Sequence, residues 1–221
     1  MASHPIYQFY TELNDYEPKI WRRIQVPGHI TVARLGYIVM TLYEMEASHL
    51  FCIQKEFRPY HEPVTYEVPN EYGDGEEAKD ATTEKMHSLI YRVGDQLTML
   101  YDYGDGWEVT LTFEKVFEDK ELPGRELPRV LEGEGYGIIE DCGGVGGLEE
   151  IAKAYAAKSG SKYAEYCEWL GEDELDLTAF DRDDMNLRLK KIPRIYQDLY
   201  EYDLMPTKQS TDFLKRRYKN R

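Results

Sequence analysis

YDYGDGWEVTLTFEKV, residues 101–116, decides how this chain folds. An Asp-Gly pair between alternating apolar residues is a strong β-hairpin signal, because both residues accept the backbone angles of a tight turn. Two registers compete. A two-residue Asp105-Gly106 turn pairs Tyr103 with Glu108 and puts Asp102 opposite Val109, among apolar neighbours. A three-residue Gly104-Asp105-Gly106 loop pairs Tyr103 with Trp107, Tyr101 with Val109, Met99 with Leu111 and Leu97 with Phe113. The second register gathers the large apolar residues on one face, and register follows the buried face. It also sets Asp102 directly across from Glu108, with Asp105 at the tip. Like charges so placed are destabilising. If covered, the pair needs a shared proton, an arginine or a metal ion; if wet, it needs nothing.

Outward from the hairpin, the chain alternates strand and turn signals. IYQFYTEL (6–13) and KIWRRIQV (19–26) read as strands, and Thr31 can cap a helix over 32–45. HLFCIQ (49–54) and SLIYRV (88–93) read as further strands, the latter ended by Gly94-Asp95. Residues 55–86 form a polar excursion, a hairpin tip or loop, carrying a second YGDG at 72–75. The glycine- and proline-rich stretch 118–148 reads as loop, followed by helices at 148–158, 161–170, 181–191 and 194–203. Strands first and helices later define an α+β class: a curved, mostly antiparallel sheet, an N-terminal packed helix and C-terminal helices. The division expected is one domain over 1–192 and a helical extension over 193–221.

Composition narrows the function classes. Of 221 residues 42% are hydrophobic and 13% aromatic, with 19 tyrosines, enough for a sizeable core. No apolar run reaches the length of a membrane span, and MASHPIYQFY lacks signal-peptide regions. Three widely spaced cysteines without CxxC point to reduced thiols and a cytoplasmic location. The net charge is −15, yet residues 206–221 hold six basic residues and one acid, leaving −20 on the rest. An acidic body repels nucleic acid, so only the basic tail offers it a contact.

Several residues compete for the carboxylates' company. In the second strand Trp21 and Arg23 share one face and Arg22 takes the other. Either arginine could neutralise the hairpin acids, making Arg22, Arg23, Asp102, Asp105, Trp107, Glu108, Glu140 and Asp141 an ion network. GEGYGIIEDCGGVGG (133–147) lacks a phosphate-loop pattern, and its acids repel phosphate. Its glycines suit close packing on the sheet, which would bring Glu140 and Asp141 to Asp102 and Glu108. Acidic neighbours make Cys142 a poor nucleophile. His49 with Asp102 could form an acid–base pair or a metal site. The catalytic candidates are therefore Asp102, Glu108 and His49, and the metal-ligand candidates Asp102, Glu108 and Asp141, with a divalent metal as the candidate cofactor.

YQFYTEL (7–13), PKIWRRIQVP (18–27), ASHLFCI (47–53), YDYGDGWEVTL (101–111), PRVLEGEGYGIIEDCGGVGGL (128–148) and FDRDDMNLRL (180–189) resemble the plasmid pRiA4b ORF-3-like family, also described as transposon-passenger TnpR-like. The resemblance covers about residues 6–190. It implies an α+β domain associated with mobile elements and no settled activity. Where the family usually has a histidine two residues after the hairpin tryptophan, this chain has Val109; where it commonly has Pro-Pro, this chain has Ile138-Ile139. The favoured expectation is an acidic, non-enzymatic protein-binding protein of mobile elements, phage or plasmids, seated in a basic groove of a nucleic-acid-binding partner. The alternative is a metal-dependent hydrolase or nuclease-like enzyme using the hairpin carboxylates.

Overall fold

A computed structural model describes residues 5–57, 62–70 and 78–214. Its frame is one eight-stranded sheet: β1 (Ile6–Leu13), β2 (Trp21–Pro27), β3 (Phe51–Lys55), β4 (Val64–Glu67), β5 (Lys79–Asp80), β6 (Gln96–Tyr101), β7 (Trp107–Phe117) and β8 (Arg129–Glu134). The order across the sheet is β5-β4-β3-β6-β7-β1-β2-β8. Every pairing is antiparallel except that of β4 with β5. The α+β expectation holds. Helices α1 (Val32–Leu42), α2 (Gly144–Ala157), α3 (Ser161–Leu170), α4 (Arg182–Leu189), α5 (Ile192–Tyr202) and α6 (Lys208–Leu214) complete the described chain.

The core lies on one face of the sheet. Leu97, Met99 and Tyr101 of β6 and Trp107, Val109 and Leu111 of β7 alternate inward, together with Phe9 and Ile24. They meet α1, whose residues are all buried except Arg34, as suits a helix covered on every side. Thr31 caps it, its hydroxyl accepting from Arg34 N–H as expected. Helices α4 and α5 pack on the far side of α1.

Two expected elements differ. The strand expected at 88–93 is not formed: Met86–Leu89 make a 3-10 turn, because Met86 and Leu89, three residues apart, both point inward, and residues 90–93 form no strand. The loop expected over 118–148 contains β8, which pairs with β2. Its alternation was hidden by Gly133, where a Cβ would lie 2.6 Å from Trp21 O and 2.7 Å from Arg22 Cδ. The excursion at 55–86 supplies β4 and β5 at the sheet edge; its second YGDG, 72–75, lies outside the described residues.

Trp21 and Arg23 do share one face, with Arg22 on the other. On the outer face Tyr10 stacks on Trp21, centroids 5.5 Å apart, and Arg23 bridges Glu114 and Glu132. On the inner face Arg22 is fully buried. Its two terminal nitrogens donate to the carbonyls of Trp21, Glu134, Gly135 and Tyr136 at 2.5–2.8 Å, and its Cζ lies 4.1 Å from the Phe180 ring centroid. Burial lowers this guanidinium to about 10, so it stays charged at neutral pH.

Arg22→Met should cost about 3 kcal/mol or more in urea denaturation, because it strands four carbonyls in the interior. A loss below about 1 kcal/mol would show that they find other donors. A pH effect is expected at Glu114. Burial pushes its carboxyl up, but hydrogen bonds from Arg23 and Gln8 outweigh that, and the net shift is downward. A lowered folded value means that the stabilisation is complete above the ordinary carboxylate range and lost as pH falls through the folded value. Wild type should therefore lose more stability on acidification than Glu114→Gln, read as the difference between their pH–stability profiles.

Candidate functional site

The hairpin register departs from expectation by two residues. Tyr101 pairs with Trp107, Leu100 with Glu108 and Met99 with Val109. An even shift keeps the apolar face intact, so the face argument could not choose between these registers. The consequence falls on the acids: Asp102 and Glu108 are not partners. Asp102 leaves the strand in the left-handed region (φ 55) and opens a five-residue loop. Its carbonyl accepts from Gly106 N–H at 2.7 Å and its Oδ1 from Gly104 N–H at 3.0 Å. Glu108 points outward and accepts from Asn14 Nδ2 at 3.3 Å. Asp105 accepts from Gly143 N–H at 3.1 Å, tying the hairpin tip to the start of α2.

The glycine-rich segment does reach the hairpin, as its composition suggested. Gly144 (φ +69) lies so close to the tip that a Cβ there would sit 2.3 Å from Asp105 O. This approach carries Glu140 and Asp141 to one end of β6. Glu140 is buried and accepts hydrogen bonds from the Tyr101 hydroxyl, the Ser48 hydroxyl and the Glu46 N–H. Burial raises its carboxyl above the ordinary range, against the lowering effect of the Ser48 and Tyr101 hydroxyls. His49 follows in the same loop, its carbonyl bonded by the Tyr200 hydroxyl of α5. Its Nε2 lies 3.1 Å from Asp141 Oδ1, 3.5 Å from Asp102 Oδ2 and 3.9 Å from Glu140 Oε2. One donor atom each from His49, Asp102 and Asp141 falls within 4.8 Å of the others, so these residues could hold a metal.

The arginine network is corrected by this geometry. Arg22 binds backbone carbonyls and Arg23 binds Glu132 and, on the second hairpin strand, Glu114, so neither arginine pairs with Asp102, Asp105 or Glu108. Trp107 is a core residue. The Cys142 thiol is half-buried, and burial with the charge of Asp105 pushes it up to about 12, consistent with an unreactive thiol. Tyr101, Ser48 and Tyr200 were missed as supports. The available signal was that a tyrosine on an inward strand face needs a partner for its hydroxyl. Val109, standing where the family histidine would be, faces the core opposite Met99.

A second feature lies on the other side of Arg22. An open groove of 1220 Å³ runs between β8, the segment 174–184 and α4. Seven carboxylates line it (Glu44, Glu132, Glu174, Asp176, Asp181, Asp183 and Asp184) against the cations Lys158 and Arg182, with Tyr136, Tyr155 and Phe180 among its aromatic walls. Among the described residues no helix is long and apolar enough to cross a membrane.

The frame and its loop cluster thus define an α+β protein with one open, mostly antiparallel sheet and a helical layer packed over one face. The chain belongs to the plasmid pRiA4b ORF-3-like family, whose model matches residues 5–188. It is 33% identical over 176 residues to the uncharacterized protein y4hQ of Sinorhizobium fredii, covering 79% of this chain and 85% of that one. It is also similar to a crystal structure of a protein of unknown function, MM3350, from Methanosarcina mazei, with a TM-score of 0.72 and 25% identity. That likeness covers 83% of this chain and 98% of the other.

Two glycines of α2 test the close approach. Gly146 meets nothing within 4 Å, so Gly146→Ala should be neutral or stabilise by up to about 1 kcal/mol through helix propensity. Gly144→Ala should destabilise by about 2–4 kcal/mol, since residue 144 is held in the left-handed region and its new methyl must displace the Asp105 backbone. Thermal and urea unfolding of the two variants would separate these cases, and equal effects would disprove the close packing.

Proposed function

We propose that this protein is a non-enzymatic binding module whose acidic groove takes the basic surface of a protein partner. The groove carries the reading: seven carboxylates line it, and they outnumber the four cations that pair with Glu44, Glu132, Glu174 and Asp183, namely Arg188, Arg23, Lys158 and Arg182. The adjoining chain is acidic too: residues 165–173 add four acids, Glu165, Glu168, Glu172 and Asp173, and no lysine or arginine. Such a field speeds association with a basic surface and rejects acidic ones, nucleic acid included. The plasmid in the family's description supports a place among mobile elements, where a nucleic-acid-binding protein supplies a basic partner surface. The alternative, a metal-dependent hydrolase or nuclease-like enzyme, draws its support from the three donors at His49, Asp102 and Asp141.

The groove reading is tested with a defined probe, a fluorescent nona-arginine peptide, by anisotropy at two salt concentrations. Glu174→Lys with Asp183→Lys should weaken binding about tenfold. Glu118→Lys with Glu121→Lys, an equal charge change on the loop after β7, should alter it less than about twofold. Equal losses would leave only a diffuse charge effect and sink the groove as a site. Hydrolysis of bis(p-nitrophenyl) phosphate with added Mn²⁺, abolished in Asp102→Asn, would favour the enzyme instead.

A further inference from the structure

We propose that His49 Nε2, Asp102 Oδ2 and Asp141 Oδ1 form a three-donor site for a first-row divalent transition-metal ion, with Zn²⁺ as its probe. The site is separate from the groove and requires no catalysis. Spacing is the first argument. An ion bonded at about 2.1 Å holds neighbouring ligand atoms about 3.0 Å apart at right angles and about 3.4 Å apart in a tetrahedron. His49 Nε2 lies 3.1 Å from Asp141 Oδ1 and 3.5 Å from Asp102 Oδ2, so the histidine edge of such a polyhedron is already formed.

The second argument is an oxygen that no protein donor claims. The Asp102 side chain is only 10% exposed. Its Oδ1 is taken by Gly104 N–H, but among the described residues Oδ2 accepts no hydrogen bond and has only His49 Nε2 nearby, at 3.5 Å. That imidazole nitrogen carries at most one proton, and its hydrogen bond goes to Asp141. Oδ2 is not among the sealed, unpartnered polar atoms of the interior, so a dissolved cation can reach it. No lysine or arginine among the described residues pairs with Asp102, Glu140 or Asp141. The three carboxyl groups surround one imidazole, so their negative charge is under-compensated. A divalent ion would engage the unclaimed oxygen and balance the charge at once.

The supports are already in place. The loop hydrogen bonds fix Asp102, its N–H donating to Leu50 O at 3.0 Å. The Tyr200 hydroxyl holds the His49 carbonyl, and Glu140 holds Ser48 beside it. Such outer contacts orient ligands before the metal arrives. Asp141 is 69% exposed at its side chain, which leaves one side open. Three protein donors then leave coordination positions for water or a small ligand. The imidazole selects against Mg²⁺ and Ca²⁺, which prefer all-oxygen sets.

The test uses the full chain, tag-free and stripped with chelator, titrated calorimetrically with ZnCl₂ and MgCl₂ and followed by thermal unfolding. Wild type should bind one Zn²⁺ per chain with a raised melting temperature, and Mg²⁺ should bind at least about tenfold more weakly. His49→Gln and Asp141→Asn should each weaken Zn²⁺ binding at least about tenfold while leaving the metal-free melting temperature unchanged. Asp141 is exposed, so its variant tests the site even where Asp102→Asn fails to fold. The absence of one-to-one binding, equal affinity for Mg²⁺, or full binding by both variants would each overturn the proposal. So would a loss confined to Cys142→Ser, which would assign the metal to a thiol. The outcome is independent of nona-arginine binding, so either result can stand alone.

Discussion

A buried guanidinium with backbone oxygens for partners fixes the turn from which the candidate site is reached. Arg22 enters the interior from the middle of a sheet strand, where a charge without compensation would be costly. Compensation comes from the carbonyls of residues 134–136, just where β8 ends and the chain must turn back over the sheet. Three successive carbonyls aimed at one cation dictate the path of that turn. Phe180, from the segment before α4, closes the cage from the side. One side chain therefore fastens the edge strand, the glycine-rich loop and the helical layer to the same point.

From that turn the loop has only a few residues in which to reach the hairpin. Gly137 (φ +147) passes against Tyr43, where a Cβ would lie 2.6 Å from Tyr43 O. Glu140 then takes three donors from β6 and the 46–48 loop, and Gly144 lies against Asp105. Burial alone would leave the Glu140 carboxylate costly, and the hydroxyls and N–H around it offset much of that cost. The histidine–aspartate cluster sits at the end of this path, and its geometry depends on fastenings more than 10 Å of chain away along the sequence.

Much of the fold was legible because periodicity and capping are local. Thr31 before an apolar run marks α1, and alternation along 6–13 and 107–117 marks β1 and β7. The hairpin register was not legible, because shifts of two residues bury the same side chains and only the turn's hydrogen bonds distinguish them. β8 was missed because Gly133 interrupts its pattern for the sake of Arg22. At the site, Asp102, Asp141, Glu140 and His49 were identified as candidates from residue type and segment. Glu108 could not be separated from them without the register. Arg22 and Arg23 were assigned to the carboxylates because charge complementarity is visible in a sequence, whereas a cage of carbonyls has no side-chain signature.

The family match ends at residue 188, yet Ile192, Pro193 and Tyr196 of α5 are buried, and α5 covers one side of α1. Two of its hydroxyls reach past α1: Tyr196 to the Met45 carbonyl and Tyr200 to that of His49. The length recognisable by likeness and the length that folds are thus different quantities. A fragment cut at the recognisable boundary would keep every strand of the sheet while uncovering one side of a helix that is buried at every residue but Arg34. It would also release the backbone that aims His49, so the damage would appear 139 residues upstream of the cut, 188 less 49.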